Sequence, residues 1–362
     1  MIPRFNSAIQ PLLDELVAEG GERGLQVAAY VDGQLVLDAW AGVADNRTGA
    51  EVSADTLFPV FSVTKGMVST ALHLLAERGQ LDYETPVANY WPEFAANGKA
   101  AVTVRQCMNH TAGLYRMPHD LDHAKLADWA FMVGAIAAQA PTYTPGERQV
   151  YHAMTYGWIS GEILRRIDGR DFKQFLAEEL NAPLGIENLF CGIPEGIDER
   201  IAWLEETGAE TPDNLGNGSV PNWLQPLHAW MNRDDARRAC IPASTGVMCA
   251  RSMARHYAAL IPGGVDGVEL LPTSRLALAN ERQWPRDREH ALKFGLGYAL
   301  GGDDSTYGPN PHAFGHGGYG GAIAFADPDA RLAFALCKNQ LNVGDNTKRI
   351  ITAFRDLLDK EH

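Results

Sequence analysis

The order of apolar and polar positions divides the chain into three stretches. Residues 3 to 19 place Ile9, Leu12, Leu13, Leu16 and Val17 at helical spacing. The run GLQVAAYVDGQLVLDAWAG then reads as two strands flanking Asp32-Gly33, a pair suited to a two-residue hairpin turn. Residues 62 to 78 carry a helix with a mostly apolar face, and Asp82 to Trp91 reads as a loop broken by Pro86 and bounded by Pro92. From about 100 to 240 helical patterns dominate, as in TVRQCMNHTAGL, KLADWAFMVGAIAAQ, YGWISGEILRRIDG and FKQFLAEELNAPLG. Within this stretch residues 205 to 235 are poor in periodicity and rich in Pro, Asn, Gly and Trp, a long loop of the kind that often borders a binding site. After a helix over SMARHYAALIPGG come short alternating segments, FGLGYAL, HAFGHGG, GAIAFAD and RLAFALCKN, and then a final helix from about 345 to 359.

Strands at both ends and helices between them predict an α/β (α+β) fold. Its sheet is mainly antiparallel, built from both chain ends and flanked by helices, with a mostly helical domain inserted. The expected boundaries are 1–82 with 240–362 for the sheet domain and 83–239 for the helical domain, whose long loop lies near the active site.

Composition narrows the function. The net charge of −14, without clustered Lys and Arg, argues against nucleic acid and anionic membranes as partners. No apolar run reaches 18 residues. The N-terminal MIPRFNSAIQPLLDELVAEGG lacks a basic segment followed by a long apolar one, so no signal peptide is expected. Five cysteines, odd in number and without a CxxC pair, fit a reducing, cytoplasmic setting. Oligomeric state is not legible from these features.

The candidate chemistry centres on Ser62-Val-Thr-Lys65, the only SxxK in the chain. At i and i+3 of a helix the two side chains share a face. A serine hydroxyl is a poor nucleophile until a base takes its proton, and a buried lysine at the positive end of a helix is biased toward the neutral amine that can do so. The backbone N–H of Ser62 would then face an oxyanion. A candidate for the second acid–base group is Tyr151, in PTYTPGERQVYHAMTYGW, with Tyr143 and Tyr156 as rivals. A second oxyanion donor is the N–H of Tyr319, after His316-Gly317-Gly318, where glycines let a substrate approach the strand backbone.

Three motifs in this order make the chain resemble the serine β-lactamase and penicillin-binding-protein superfamily, most closely class C β-lactamases and family VIII carboxylesterases. The matching segments include LFPVFSVTKGMVSTALHLLAERGQLDYETPVANYWPEF, TVRQCMNHTAGL, YTPGERQVYHAMTYGWISGEILRRIDG, ASTGVMCARSMARHYAAL and FGHGGYGGAIAFADPDARLAFALCKN. The resemblance implies that Ser62 is the acylated nucleophile, that Lys65 lowers its proton affinity, and that Tyr151 is the second base and the proton donor to the leaving group. It implies that His316, Gly317 and Gly318 occupy the third-motif strand and that the N–H groups of Ser62 and Tyr319 form the oxyanion hole. Two departures matter. Ala153 stands where class C lactamases have the Asn of Tyr-x-Asn, and His316-Gly317 stands where lactamases have Lys-Thr. Both changes weaken the grip on a lactam antibiotic and fit neutral esters.

The expected activity is therefore a serine carboxylesterase acting on a small-molecule ester, with no cofactor and no metal. Acyl transfer to an alcohol or amine, a β-lactamase or D-amino-acid peptidase, and a catalytically silent scaffold are the alternatives. GxSxG is absent, and His119-Asp-Leu-Asp-His123 matches neither HExxH nor HxHxDH, which disfavours a nucleophile-elbow hydrolase and a metallohydrolase. Tyr115, Trp223 and Trp230 are the expected pocket aromatics.

Overall fold

The structure, a computed structural model, describes residues 3–207, 217–289, 291–341 and 344–360. Helix α1 (Asn6–Ala18) precedes a hairpin of β1 (Gly24–Val31) and β2 (Gln34–Asp45). Then β3 (Ala50–Glu51) and β4 (Phe58–Phe61) lead into α2 (Thr64–Glu77). The middle of the chain holds α3 (Val104–Met108), α4 (His123–Ala127), α5 (Trp129–Ala138), α6 (Thr155–Asp168), α7 (Phe172–Phe175) and α8 (Ala182–Leu184). Two short strands, β5 (Leu189–Cys191) and β6 (Glu205–Glu206), are followed by α9 (Leu227–Met231) and α10 (Asp234–Arg238). The chain continues through β7 (Gly246–Met248), α11 (Ala250–Ala258), α12 (Thr273–Asn280) and β8 (Ala299–Leu300). It closes with β9 (Phe314–Gly317), β10 (Ile323–Asp327), β11 (Leu332–Lys338), β12 (Gln340–Leu341) and α13 (Asn346–Asp359).

Seven strands form one antiparallel sheet in the order β3-β2-β1-β11-β10-β9-β8. Its centre joins the two chain ends: β1 pairs with β11, from Leu25 opposite Lys338 to Val31 opposite Leu332. The expected sheet built from both termini is thus present. Every residue of β1 and β11 is buried, because helices cover both faces. The two faces differ in size. Leu332, Phe334 and Leu336 pack with Ile9 and Leu13 of α1 and Ile350 and Phe354 of α13. Ala333, Ala335 and Cys337 alternate with them and join the cluster of Met253 and Tyr257 from α11. Small side chains on that face let α11 lie close to the sheet. At the β1–β2 turn Asp32 (φ 50°) and Gly33 (φ 72°) both take the left-handed conformation, as a two-residue type I′ hairpin requires.

A second sheet, β4-β7-β5, carries the strand that ends beside Ser62. Several elements depart from the sequence pattern. The 62–78 helix starts at Thr64, so Ser62 and Val63 lie in the turn before it. KLADWAFMVGAIAAQ breaks into α4 and α5 at Asp128, whose carboxylate accepts the Phe131 N–H and caps α5. FGLGYAL supplies only the two-residue β8, because the chain turns back at Gly297 (φ 83°) to bridge Phe294 with Ala299. The expected loop at 205–235 contains α9 and the start of α10, and residues 208–216 of it lie outside the described residues.

Candidate active site

Phe61, the last residue of β4, has φ 48°, an uncommon conformation for a side chain of this size. It turns the backbone sharply from strand to helix and leaves Ser62 at the corner. The turn is pinned from below: Thr64 Oγ1 donates to the Phe61 carbonyl at 2.5 Å and accepts the Gly246 N–H at 2.9 Å. One turn on, Lys65 is fully buried and its amine lies 3.0 Å from Ser62 Oγ, 2.7 Å from the Ala153 carbonyl and 2.9 Å from the Ala243 carbonyl.

These three contacts define the chemistry of the amine. Burial holds the Lys65 pKa well below the usual lysine value, so the neutral form is favoured. A neutral amine has two N–H groups and one lone pair. The two carbonyls accept both N–H groups, and the lone pair is left facing the serine hydroxyl. Among the described residues no carboxylate contacts the amine; an ion pair there would have kept it charged.

Tyr151 follows the Pro-Gly turn and precedes α6. Its hydroxyl is within hydrogen-bonding reach of Ser62, and its ring lies 4.9 Å from the Lys65 amine. Burial raises the phenol pKa above its ordinary value, so the resting side chain is protonated rather than a phenolate. The rivals are placed elsewhere. Tyr156 is buried with its hydroxyl 2.8 Å from Ser69 Oγ, and Tyr143 donates to the His110 carbonyl at 3.4 Å.

On the opposite wall, β9 brings His316 to 3.5 Å from the Tyr151 hydroxyl through Nε2. The strand approaches the serine turn closely because Gly318 has no side chain. A Cβ there would stand 2.2 Å from the Val60 carbonyl oxygen. Beyond it, Tyr319 begins a single 3₁₀ turn, and its phenol donates to Glu206, which also faces His228 Nδ1 at 3.0 Å. The backbone N–H groups of Ser62 and Tyr319 have no hydrogen-bond partner among the described residues, and both residues line the same cavity.

That cavity holds about 400 Å³ and is bounded by Ser62, Tyr151, His316, Gly317 and Tyr319. The remaining wall is mostly apolar, including Met154, Leu227, Trp230, Leu292 and Phe294, and among the described residues it contains no Asp, Glu, Arg or Lys. Three larger clefts, of about 540, 800 and 960 Å³, contain none of the SxxK, tyrosine or third-motif groups. Of the three aromatics expected at the pocket, Trp230 lines it. Trp223 is 41% exposed, packs edge-on against His123 and lines the 960 Å³ cleft. Tyr115 stacks on Tyr143, outside the cavity wall. Both fall within segments where no periodicity fixes direction. Among the described residues no group of three or more His, Cys, Asp or Glu is placed to hold a metal ion.

Other contributors were not singled out from the sequence. The Ala243 carbonyl and Ser244 come from ASTGVM, a segment that carried the resemblance but no assigned role. Phe294 comes from a segment read only as a strand. His110, in HTAGL, is fully buried at φ 64° with its ring 4.9 Å from that of Tyr151. A residue that acts through a carbonyl, or through packing, leaves no motif of its own.

A family model described as Beta-lactamase matches residues 9–355. The chain is 37% identical over 335 residues to "Esterase/beta-lactamase LipL" of Mycobacterium tuberculosis, covering 88% of this chain and 77% of that one. Among solved structures, a family VIII carboxylesterase is 31% identical with a TM-score of 0.89, and the match covers 98% of each chain. A penicillin-binding-protein homolog from Caulobacter crescentus is also 31% identical, with a TM-score of 0.87 and 98% coverage of each.

Proposed function

We propose, from the premise that the chain belongs to the beta-lactamase family, that it is a serine carboxylesterase working through an acyl-enzyme on Ser62. Its relatives include esterase- and β-lactamase-like hydrolases, so hydrolysis is the common ground and the substrate is the question.

The observation that carries the ester reading is the uncharged wall of the cavity. A lactam antibiotic presents a carboxylate, and none of the described residues lining this cavity offers it a cation. His316 is held neutral, its pKa lowered to about 3 chiefly by burial. Ala153 presents a methyl where an amide would be needed to hold the lactam side chain. The anion nearest Tyr319 is Glu206, which would repel a substrate carboxylate. A neutral ester with an apolar acyl group meets none of these penalties.

In this reading the Lys65 lone pair takes the Ser62 proton as Oγ attacks the ester carbonyl. The N–H groups of Ser62 and Tyr319 stabilise the oxyanion. Tyr151, protonated at rest, gives its proton to the departing alkoxide, and the Lys65 ammonium beside it restores that proton. Water then enters and releases the acid by the same groups in reverse. An alcohol or amine entering instead of water would give acyl transfer from the same intermediate.

The test is turnover of p-nitrophenyl butyrate and of a chromogenic cephalosporin by the native protein and by Ser62→Ala. Ester cleavage exceeding cephalosporin cleavage by at least about a hundredfold, with both lost in the variant, is expected. Cephalosporin turnover that outpaces the ester would assign the protein to the β-lactamases instead.

A further inference from the structure

His316 occupies the position from which lactamases present a cation, yet its hydrogen bonds give it the opposite polarity. Its Nδ1 lies 2.7 Å from the Gly317 carbonyl, which can only accept. The proton is therefore on Nδ1, and Nε2 carries a lone pair. That lone pair points at the Tyr151 hydroxyl, 3.5 Å away. Side chains around the ring, Phe294 at 5.9 Å and Tyr151 at 6.0 Å between centroids, hold it in this orientation.

We propose that His316 is a positioning residue that accepts the Tyr151 hydroxyl proton in a hydrogen bond, keeping the phenol protonated and aimed along β9 at the oxygen of the leaving alcohol. The inference rests on the esterase reading of the site and adds a role to it. An acceptor beside a phenol stabilises the neutral form, whereas an ammonium would stabilise the phenolate. With His316 in place, the Ser62 proton goes to Lys65 alone. The O–H of Tyr151 is kept for the second half of the step. When the tetrahedral intermediate collapses, the carbon–oxygen bond to the alcohol breaks, and the alkoxide replaces His316 as the acceptor and takes the phenolic proton. The 3.5 Å separation is long for a hydrogen bond at rest, and such contacts commonly tighten once substrate is bound.

Other groups facing His316 are consistent with an uncharged acceptor. Lys65 and His110 are both held neutral by burial, and the Tyr307 hydroxyl lies beside Gly317 with its pKa raised by burial. No carboxylate stands among these neighbours to draw a proton onto the imidazole.

The experiment compares two leaving groups. p-Nitrophenolate departs without protonation, whereas ethoxide needs a proton. The expected result for His316→Leu is a fall of about tenfold or more in kcat/KM for ethyl butyrate and less than about threefold for p-nitrophenyl butyrate. His316→Gln, which can still accept through its carbonyl oxygen, recovers most of the ethyl ester activity. His316→Lys, which donates instead, brings a loss of ethyl ester activity at alkaline pH that the native enzyme lacks, because Tyr151 then ionises. Equal losses on both esters, or no loss on either, would overturn the assignment. Labelling of Ser62 by a fluorophosphonate separates the two levels. A native protein that neither labels nor cleaves esters would sink the esterase reading itself, whereas labelled, active variants that show no leaving-group effect would sink only the role of His316.

Discussion

At the scale of single residues, the account turns on one amine that burial keeps uncharged. Among the described residues Lys65 has two carbonyls and one hydroxyl as partners and no anion. As the proposed base for Ser62 it must be neutral, so activity is expected to be lost as pH falls through the depressed Lys65 pKa and to be complete above it. The kcat/KM of the native enzyme for p-nitrophenyl butyrate is thus expected to reach its plateau well below the ordinary lysine value near 10.5. Lys65→Met, which preserves length and burial but has no lone pair basic enough, is expected to lower kcat/KM by about 10³ and to remove that acid limb. A variant that kept the limb would show that another group sets it. Residue identities were the most legible part of the site. Ser62, Lys65, Tyr151 and His316 announce themselves by type and spacing, since each must present a particular atom. The carbonyls of Ala153 and Ala243 do not, because any residue has one.

At the scale of elements, the site is a junction of two sheets and a helix. β4 leads into Ser62, α2 carries Lys65, and the turn after β9 carries Tyr319, whose N–H is the proposed second oxyanion donor. The spacing between β9 and the serine turn depends on Gly318, whose conformation is ordinary and whose missing Cβ is what matters. Gly318→Ala would force its Cβ against the Val60 carbonyl at 2.2 Å, and the cheapest relief is to move β9 away. Steady-state kinetics on p-nitrophenyl butyrate should show kcat reduced by about a hundredfold, as when an oxyanion donor is lost, with KM changed much less. Unchanged kcat would mean that the Tyr319 N–H does not serve the reaction. The sequence made the long, periodic elements readable. The hairpin at Asp32-Gly33, α6 and α13 lie within a residue or two of expectation. It was less informative where short elements follow one another. A capping Asp128 splits one apolar run into two helices, and Gly297 folds FGLGYAL back on itself. Tyr115 and Trp223 were misdirected for the same reason: an aromatic in an aperiodic segment has no predictable side to face.

At the scale of the whole molecule, the layered fold buries several imidazoles in neutral form. Burial lowers His73 and His152 to about 4 and His256 and His316 to about 3. Each folded value lies below the unfolded value of about 6.5, so the unfolded chain binds more protons in between. Their contribution to stability is complete above pH 6.5 and is lost as pH falls through that value toward 4 and then 3. Urea unfolding at stepped pH is expected to show stability falling below pH 6.5 with a slope of about 1.4 kcal/mol per pH unit for each histidine that gains a proton on unfolding. A flat profile down to pH 4 would mean that these rings are already protonated in the folded state. No helix among the described residues is long and apolar enough to cross a membrane.

The central claim is that Ser62 carries the acyl group between the two halves of the reaction. Its most direct test is the intact mass of the protein, acid-quenched within milliseconds of mixing with excess p-nitrophenyl butyrate. The account predicts a mass increase of one butyryl group, located on the peptide that contains Ser62 and absent from Ser62→Ala. Ester turnover with no adduct at any time, or an adduct on another residue that persists in Ser62→Ala, would contradict it.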